Sequence, residues 1–218
     1  GVNAAGNDKL PNWGSGINVD YVSNIKIGDG TAIGRNIIAS NLRSAIYVEP
    51  ITGAVDTVKI DMNYLGTNAA GTASLSNGGT LPQVTTISRT GDGVSVSGLV
   101  KNLEIRHNLL SGNTEGESPN GIEFWNATVN APIIADNIFG LNASGMAALP
   151  NAWNGLSFKS NNATASVTNA QISNNLFAGN NKNGLYANAI LKSATITNNR
   201  FGINASGLDA IPNGENGI

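Results

Sequence analysis

Ile172-Ser173-Asn174-Asn175-Leu176-Phe177-Ala178-Gly179-Asn180 is the stretch from which the whole chain can be read. Within it, Ile172, Asn175 and Phe177 define a register, I-x-x-N-x-F. The register, with Leu or Ile also at its last position, returns at Ile33/Asn36/Ile38, Ile60/Asn63/Leu65, Ile105/Asn108/Leu110, Ile134/Asn137/Phe139 and Ile196/Asn199/Phe201. Its asparagines lie 27, 45, 29, 38 and 24 residues apart. Recurrence at roughly 20–50 residues marks a repeat architecture, in which each unit is too small to bury its own apolar side and must stack on its neighbours.

A second register runs in step with the first. Gly16-Ile17-Asn18-Val19, Ala45-Ile46-Tyr47-Val48, Gly93-Val94-Ser95-Val96, Gly121-Ile122-Glu123-Phe124, Gly155-Leu156-Ser157-Phe158 and Gly184-Leu185-Tyr186-Ala187 follow G-φ-x-φ, where φ is apolar and Ala replaces Gly once. Alternation at period two predicts a short strand. Each circuit therefore holds at least two short strands, a turn rich in Gly and Asn, and no segment of helical period. Longer self-similarity sets a larger unit. Residues 1–17, 140–156 and 202–218 are copies of one element, opened by Asn3, Asn142 and Asn204, and Gly66–Gly71 starts a fourth copy at Asn68. These long turns alternate with short ones such as Ser111-Gly112-Asn113 and Ala178-Gly179-Asn180, so the repeating unit is a pair of coils. The irregular stretch 72–92 is expected to be a loop excursion from one coil.

Stacked coils of this kind bury Ile, Leu, Val and Phe as a continuous core. The recurring Asn36, Asn63, Asn108, Asn137, Asn175 and Asn199 are expected to form a structural ladder, each side-chain amide bonding the next. Composition agrees with a turn-rich β protein: hydrophobic residues make up 40%, charged residues 12%, and Gly numbers 27 in 218 residues. A formal net charge of −2 leaves no electrostatic footprint for nucleic acid. With no cysteine, disulfides and thiolate chemistry are excluded. No apolar run reaches the length of a membrane span. The opening Gly1-Val2-Asn3 carries no signal-peptide pattern, and the chain is read as one β domain cut from a longer repeat array.

Segments such as Ile27-Gly28-Asp29-Gly30-Thr31-Ala32-Ile33-Gly34-Arg35-Asn36-Ile37-Ile38, and Phe201-Gly202-Ile203-Asn204-Ala205-Ser206-Gly207 with its Pro212-Asn213 tail, resemble the repeats of pectate-lyase-like solenoids of secreted and cell-surface bacterial proteins. The resemblance spans nearly the whole chain outside roughly 72–92. It implies an all-β, right-handed, single-stranded parallel β-helix of about six coils with alternating short and long turns. It does not fix function, because adhesins, autotransporter passengers, phage tailspikes and polysaccharide lyases, hydrolases and epimerases share that fold. The N-T-D, G-H-G and R-I-K segments of the pectin hydrolases and the D-P-H of alginate epimerases are absent.

Candidate chemistry is sparse. The one histidine, His107, falls at an x position and is expected at a corner or facing solvent. No metal site and no cofactor is expected. The outward residues of the G-φ-x-φ strands form two columns, Asn18/Tyr47/Ser95/Glu123/Ser157/Tyr186 and Asp20/Glu49/Ser97/Trp125/Lys159/Asn188. Glu49 and Glu123 lie two coils apart, roughly 10 Å or more at the usual strand spacing, loose for a catalytic pair, so each is read as a solvated charge. The same face offers aromatic platforms and hydrogen-bonding groups suited to sugars, with Tyr47, Glu49, Glu123, Trp125, Lys159 and Tyr186 as candidate glycan contacts. The sequons at Asn126, Asn142, Asn162 and Asn204 are read as turn chemistry.

These readings converge on an extracellular or cell-surface structural segment of a bacterial protein, a stalk, adhesin or filament subunit. Its expected partner is a polysaccharide or surface glycan, and its ends are expected to be covered by further coils or by a second copy stacked head to tail. A polysaccharide-processing enzyme and a tailspike-type receptor-binding protein are the alternatives.

Overall fold

In the computed structural model, described here for residues 1–79, 90–188 and 190–218, the chain is all-β, with no helix among the described residues. Among the described residues every strand-to-strand pairing is parallel, isolated bridges within the long turns aside, and each joins one pass of the chain to the next in sequence. Ile17 pairs with Ile46, Ile46 with Val94, Val94 with Ile122, Ile122 with Leu156 and Leu156 with Leu185. The Ile of the first register aligns in the same way, Ile105 with Ile134, Ile134 with Ile172 and Ile172 with Ile196. Among the described residues the result is two parallel sheets, one of 13 strands and one of 6, curled around a shared interior. A further short stretch lies between the two registers in each of several passes. Val100, Val129 and Val167 pair across it and are buried, and Leu191 follows in the next pass.

Like side chains stack on like. Ile60, Ile105, Ile134 and Ile172 are fully buried, as are Leu65, Leu110, Phe139 and Phe177 one register further on. The Phe139 and Phe177 rings stack at 4.5 Å between centroids, Phe177 and Phe201 at 5.0 Å, and Phe124 and Phe158 at 4.7 Å. Between the register Ile and its Asn in the passes from Ile60 onward, the chain bends through a residue in the left-handed region: Met62, His107, Asp136, Asn174 and Asn198 have φ between 52° and 61°. The first circuit departs from the expected register. Ile33 is 99% exposed, and Ile27, paired with Ile60, takes the core position instead. Residues 28–35 are an insertion between Ile27 and Asn36 that happens to place another Ile at the right spacing.

The asparagines of the first register form a continuous amide ladder. Nδ2 of Asn36, Asn63, Asn108, Asn137 and Asn175 donates to Oδ1 of Asn63, Asn108, Asn137, Asn175 and Asn199, at 2.8–3.1 Å. The same Oδ1 atoms accept the backbone N–H of the preceding rung. A second hydrogen of each Nδ2 from Asn63 onward goes to a buried-strand carbonyl of the previous pass, such as Ile105 for Asn137 and Ile134 for Asn175. Two more ladders run beside it. One joins Asn12, Asn41, Asn77, Asn113, Asn151, Asn180 and Asn213. The other joins Asn120, Asn154, Asn183 and Asn216, with its donors pointing the opposite way along the stack. The backbone polar groups that tight bends strand in the interior are thus met by side-chain amides.

The long turns stack on one another across the intervening short turn. Ala69 N–H donates to Gly6 O, Ala143 to Gly71 and Ala205 to Gly145. In each long turn the Asn closes the bend, as Asn142 Oδ1 does by accepting from Met146 and Ala147 N–H. Gly71 has φ +66°, and a Cβ placed there would meet the Ala143 Cβ at 2.5 Å. Gly71→Ala is therefore expected to cost about 2–3 kcal/mol, part backbone conformation and part overlap. In urea denaturation, adding Ala143→Gly should recover only the part of the overlap that falls on Ala143, because the same Cβ also meets Tyr64 Cε2 at 2.8 Å and Leu109 Cδ2 at 2.9 Å. Within 72–92, residues 80–89 lie outside the described residues. Leu75 and Asn77 are buried parts of the pass, and Asp92 stands at the foot of the third ladder.

Candidate functional site

Strand alternation turns Asn18, Tyr47, Ser95, Glu123, Ser157 and Tyr186 away from the apolar interior, and the parallel register sets them side by side. Pointing outward does not leave them all wet. Ser95, Glu123 and Ser157 are buried, with Glu123 only 6% exposed. This corrects the expectation that Glu123 is a solvated charge. Alternation decides which side of the sheet a residue takes, while the loops and long side chains packed on that side decide its burial.

The cause of this burial begins at Asp92. The residue before the later G-φ-x-φ segments is Asn120, Asn154, Asn183 or Asn216 in the third ladder, and Asp92 holds the equivalent place one pass earlier. Asp92 Oδ1 accepts the Asn120 backbone N–H at 2.8 Å and its Nδ2 at 3.2 Å. The next pass down offers Ser44 rather than an amide, and there the ladder gives way to hydroxyls. Ser95 Oγ donates to Asp92 Oδ2 at 2.5 Å, and Ser44, Thr90 and Ser95 lie within 2.8–3.3 Å of one another. An amide at 92 would add donors to a group that already has several. A carboxylate supplies the acceptor they need.

Glu123 sits beside this group. Asn120 Nδ2 reaches Glu123 Oε1 at 3.4 Å while also bonding Asp92, which holds two carboxyl groups on one amide. Burial first, and then the charge of Asp92, push the Glu123 carboxyl up to about 8, against a smaller downward pull from Lys159. Burial also raises Asp92, opposed by its hydrogen bonds from Ser95 and Asn120. Like charges this close do not both ionise, so at neutral pH the pair carries one proton. Asp92 is raised in spite of its donors and Lys159 pulls Glu123 down, so the proton belongs to the pair and not to either carboxyl alone.

Lys159 completes the group. Its Nζ is 3.7 Å from Glu123 Oε1, 4.6 Å from the centre of the Trp153 ring and 5.8 Å from that of Tyr186. The Ser157 hydroxyl, fully buried in the register position between Glu123 and Tyr186, has no hydrogen-bond partner. A cavity of about 240 Å³ opens here, lined by Thr90, Glu117, Ser118, Glu123, Trp125 and Lys159. A second of about 260 Å³, lined by Ser15, Arg43, Ser44, Tyr47, Thr90 and Trp125, adjoins it. Thr90 and Trp125 belong to both, so together they form a groove running across the strands.

The groove brings together Glu123, Trp125 and Lys159, with Tyr186 beside the ammonium and Tyr47 in the adjoining cavity. Burial and then the neighbouring Glu49 push the Tyr47 hydroxyl up to about 12. Glu49 lines neither cavity. Sequence reasoning passed over Asp92, Ser157 as a donor, and Trp153. The signal for Asp92 was its alignment with the Asn-Gly pairs at 120, 154 and 183; that for Trp153 was its place inside a repeated turn. His107, 45% exposed in its side chain, is remote from this group and bonds Asp61 at 2.9 Å, with Asp136 at 3.7 Å from its other nitrogen. Among the described residues no group of three His, Asp or Glu is placed to hold a metal ion. Comparison with protein-family models, with curated proteins and with solved structures found no match to this chain.

Proposed function

We propose that the chain is a right-handed parallel β-helix of about six coils, a structural and adhesive segment of an extracellular or cell-surface bacterial protein, and that it binds glycans along the groove at Trp125. The observation that carries the binding part is the groove itself. An indole that is 42% exposed lines the same cavity as a lysine, carboxyl groups and hydroxyls on a sheet face. Sugars need this mixture, an apolar ring face for their C–H groups and polar side chains for their hydroxyls. Adjacent strands lie about 4.8 Å apart, close to the length of one pyranose ring, so a glycan lying along the stack meets equivalent positions sugar by sugar. The ladders on either side keep the groove residues in fixed relation, which limits the ordering cost of binding. The low charge and the turn-rich composition support the extracellular structural part.

Trp125→Ala tests this reading. Weak glycan binding, followed by titration calorimetry or tryptophan fluorescence, should fall at least tenfold, while the melting temperature changes by no more than about 2 °C, as for an exposed side chain. Loss of binding only in step with unfolding would assign Trp125 to packing instead.

One observation favours a second reading, a polysaccharide-cleaving enzyme. Glu123 lines the cavity with Glu117 and its carboxyl is pushed up to about 8 by burial, and glycoside cleavage uses one carboxylic acid and one carboxylate. Release of new reducing ends from a bound oligosaccharide, lost in Glu123→Gln, distinguishes cleavage from binding alone.

A further inference from the structure

Two carboxyl groups from successive passes meet on one amide. Asn120 Nδ2 donates to Asp92 Oδ1 at 3.2 Å and to Ser118 O at 2.6 Å, and Glu123 Oε1 lies 3.4 Å from the same nitrogen. Asp92 is fully buried and Glu123 is 6% exposed. Among the described residues the one cation paired with either of them is the Lys159 ammonium, 3.7 Å from Glu123 Oε1. We propose that Asp92, Asn120 and Glu123 form a proton-held clasp: the two carboxyl groups stay packed on their shared amide while one proton remains between them, and Glu123 turns out into the Trp125 cavity when that proton leaves. The clasp is part of the groove wall and acts whatever the groove binds.

The supply of hydrogens allows one charge here and not two. Ser95 Oγ, the Asn120 backbone N–H and the Asn120 amide all donate to Asp92, enough for one buried carboxylate. Asp92 and Ser118 O then take both hydrogens of Asn120 Nδ2, and Glu123 Oε1 is left with a distant share. A second buried carboxylate would lack donors and repel the first, with one ammonium to set against two charges. Burial raises both carboxyls, and on Glu123 the charge of Asp92 adds to it. The two groups differ in their way out. Glu123 borders the cavity of about 240 Å³ that Trp125 and Lys159 also line, so its carboxylate can turn toward the ammonium and water without moving the strand. Asp92 lines neither cavity. The other charged and titratable groups around the pair are Glu117 across the cavity, Arg43 and Tyr47 in the adjoining cavity with Glu49 beside Tyr47, and Tyr186 beyond Lys159.

The pH dependence has a definite sign. Both carboxyls are raised in the folded chain, so folding retains a proton that the unfolded chain has released. The stability this contributes is fully present below the ordinary carboxylate range and is lost as pH rises through about 8. One extra proton in the folded state weakens the folding equilibrium about tenfold for each pH unit across that window. Above it, Glu123 pairs with Lys159 in the cavity and leaves Asp92 on the Asn120 amide.

Urea unfolding at a series of pH values tests the clasp. In the wild-type chain the folding equilibrium constant should fall at least tenfold between pH 6 and pH 8.5. In Glu123→Gln a single carboxyl remains on the amide, and the fall should shrink to about twofold or less. Other titrating groups are common to both chains, so the difference between the two profiles is the reading, whatever the absolute stability of the variant. In Asp92→Asn only burial raises Glu123, and the fall should begin at lower pH. Crystal structures of the unmutated chain at pH 6.5 and pH 9.5 give a second measurement. Glu123 should pack on Asn120 in the first and bond Lys159 Nζ from within the cavity in the second. A wild-type profile no steeper than that of Glu123→Gln, or a Glu123 side chain in the same place at both pH values, overturns the clasp. Neither result touches the glycan reading, which the Trp125→Ala measurement decides.

Discussion

Asn137→Ala is expected to lower the melting temperature by about 10 °C, through a loss of about 3–5 kcal/mol. Asn137 stands mid-ladder at 1% exposure. Its Oδ1 accepts Asn108 N–H at 2.9 Å and Asn108 Nδ2 at 3.1 Å, and its Nδ2 donates to Ile105 O at 2.8 Å and Asn175 Oδ1 at 3.0 Å. Alanine deletes all four bonds and strands the buried partners on both sides. Each stranded group costs about 1–3 kcal/mol, and the amide's volume is left partly empty. For a chain of this size each kcal/mol shifts the midpoint by about 2–4 °C. Thermal and urea melts give the measurement. Asn137→Asp separates hydrogen bonding from volume, because it keeps the acceptor at Asn108 and faces Asn175 Oδ1 with another oxygen. A loss below about 1 kcal/mol in both variants would show that the ladder accompanies the fold without stabilising it.

Phe177→Ala is expected to cost about 4–5 kcal/mol. Phe177 is fully buried between the Phe139 ring at 4.5 Å and the Phe201 ring at 5.0 Å, nearly parallel to both. Truncating a buried phenylalanine costs about 3–5 kcal/mol, and the two ring contacts add about 0.5–1.5 kcal/mol each beyond their area, partly recovered by relaxation. Phe177→Leu, which keeps most of the volume, should cost about 1–2 kcal/mol. Phe201, half-buried with one ring neighbour, should lose less than Phe177 when cut to alanine. Equal losses at 177 and 201 would contradict a core that deepens along the ring stack.

These effects fall on residues that the sequence already singled out. Asn137 and Phe177 were legible because their places repeat at fixed distance from a buried isoleucine, and repetition in a stack is contact. The same logic misplaced Ile33. Spacing is blind to an insertion that restores the pattern by chance, and only pairing shows that Ile27 takes the inward place. The second and third ladders were hidden among Pro-Asn and Asn-Gly doublets, residue pairs that read as ordinary turn signals whether or not their amides stack. Glu123 was found as a residue and misread as an environment. Alternation could not say that Lys159 and the Asp92 segment would pack on the outer side. Asp92 closes an irregular stretch, and its role depends on Ser44, Thr90 and Ser95, which no linear motif joins.

The second and third ladders carry a consequence for chemical ageing. Asn-Gly is the dipeptide most prone to deamidation, because the glycine nitrogen can swing round and attack the preceding side-chain carbonyl to close a succinimide ring. The chain places such pairs at 77–78, 120–121, 154–155, 183–184, 213–214 and 216–217. In the five pairs up to 213–214 the glycine N–H is already committed to a carbonyl of a neighbouring pass, as Gly121 is to Asn154 O at 3.0 Å and Gly155 to Asn183 O at 3.0 Å. The attacked carbonyl is held as well: Asn120 Oδ1 takes two hydrogen bonds from Asn154. Folding thus removes both the motion and the free nucleophile that the reaction needs, and a sequence that would age quickly as a loose chain is durable while it stays stacked. The protection ends with unfolding. Each amide hydrolysed in that state returns as an acid that cannot donate to the rung beside it, so time spent unfolded is recorded in the chain and makes the next refolding harder.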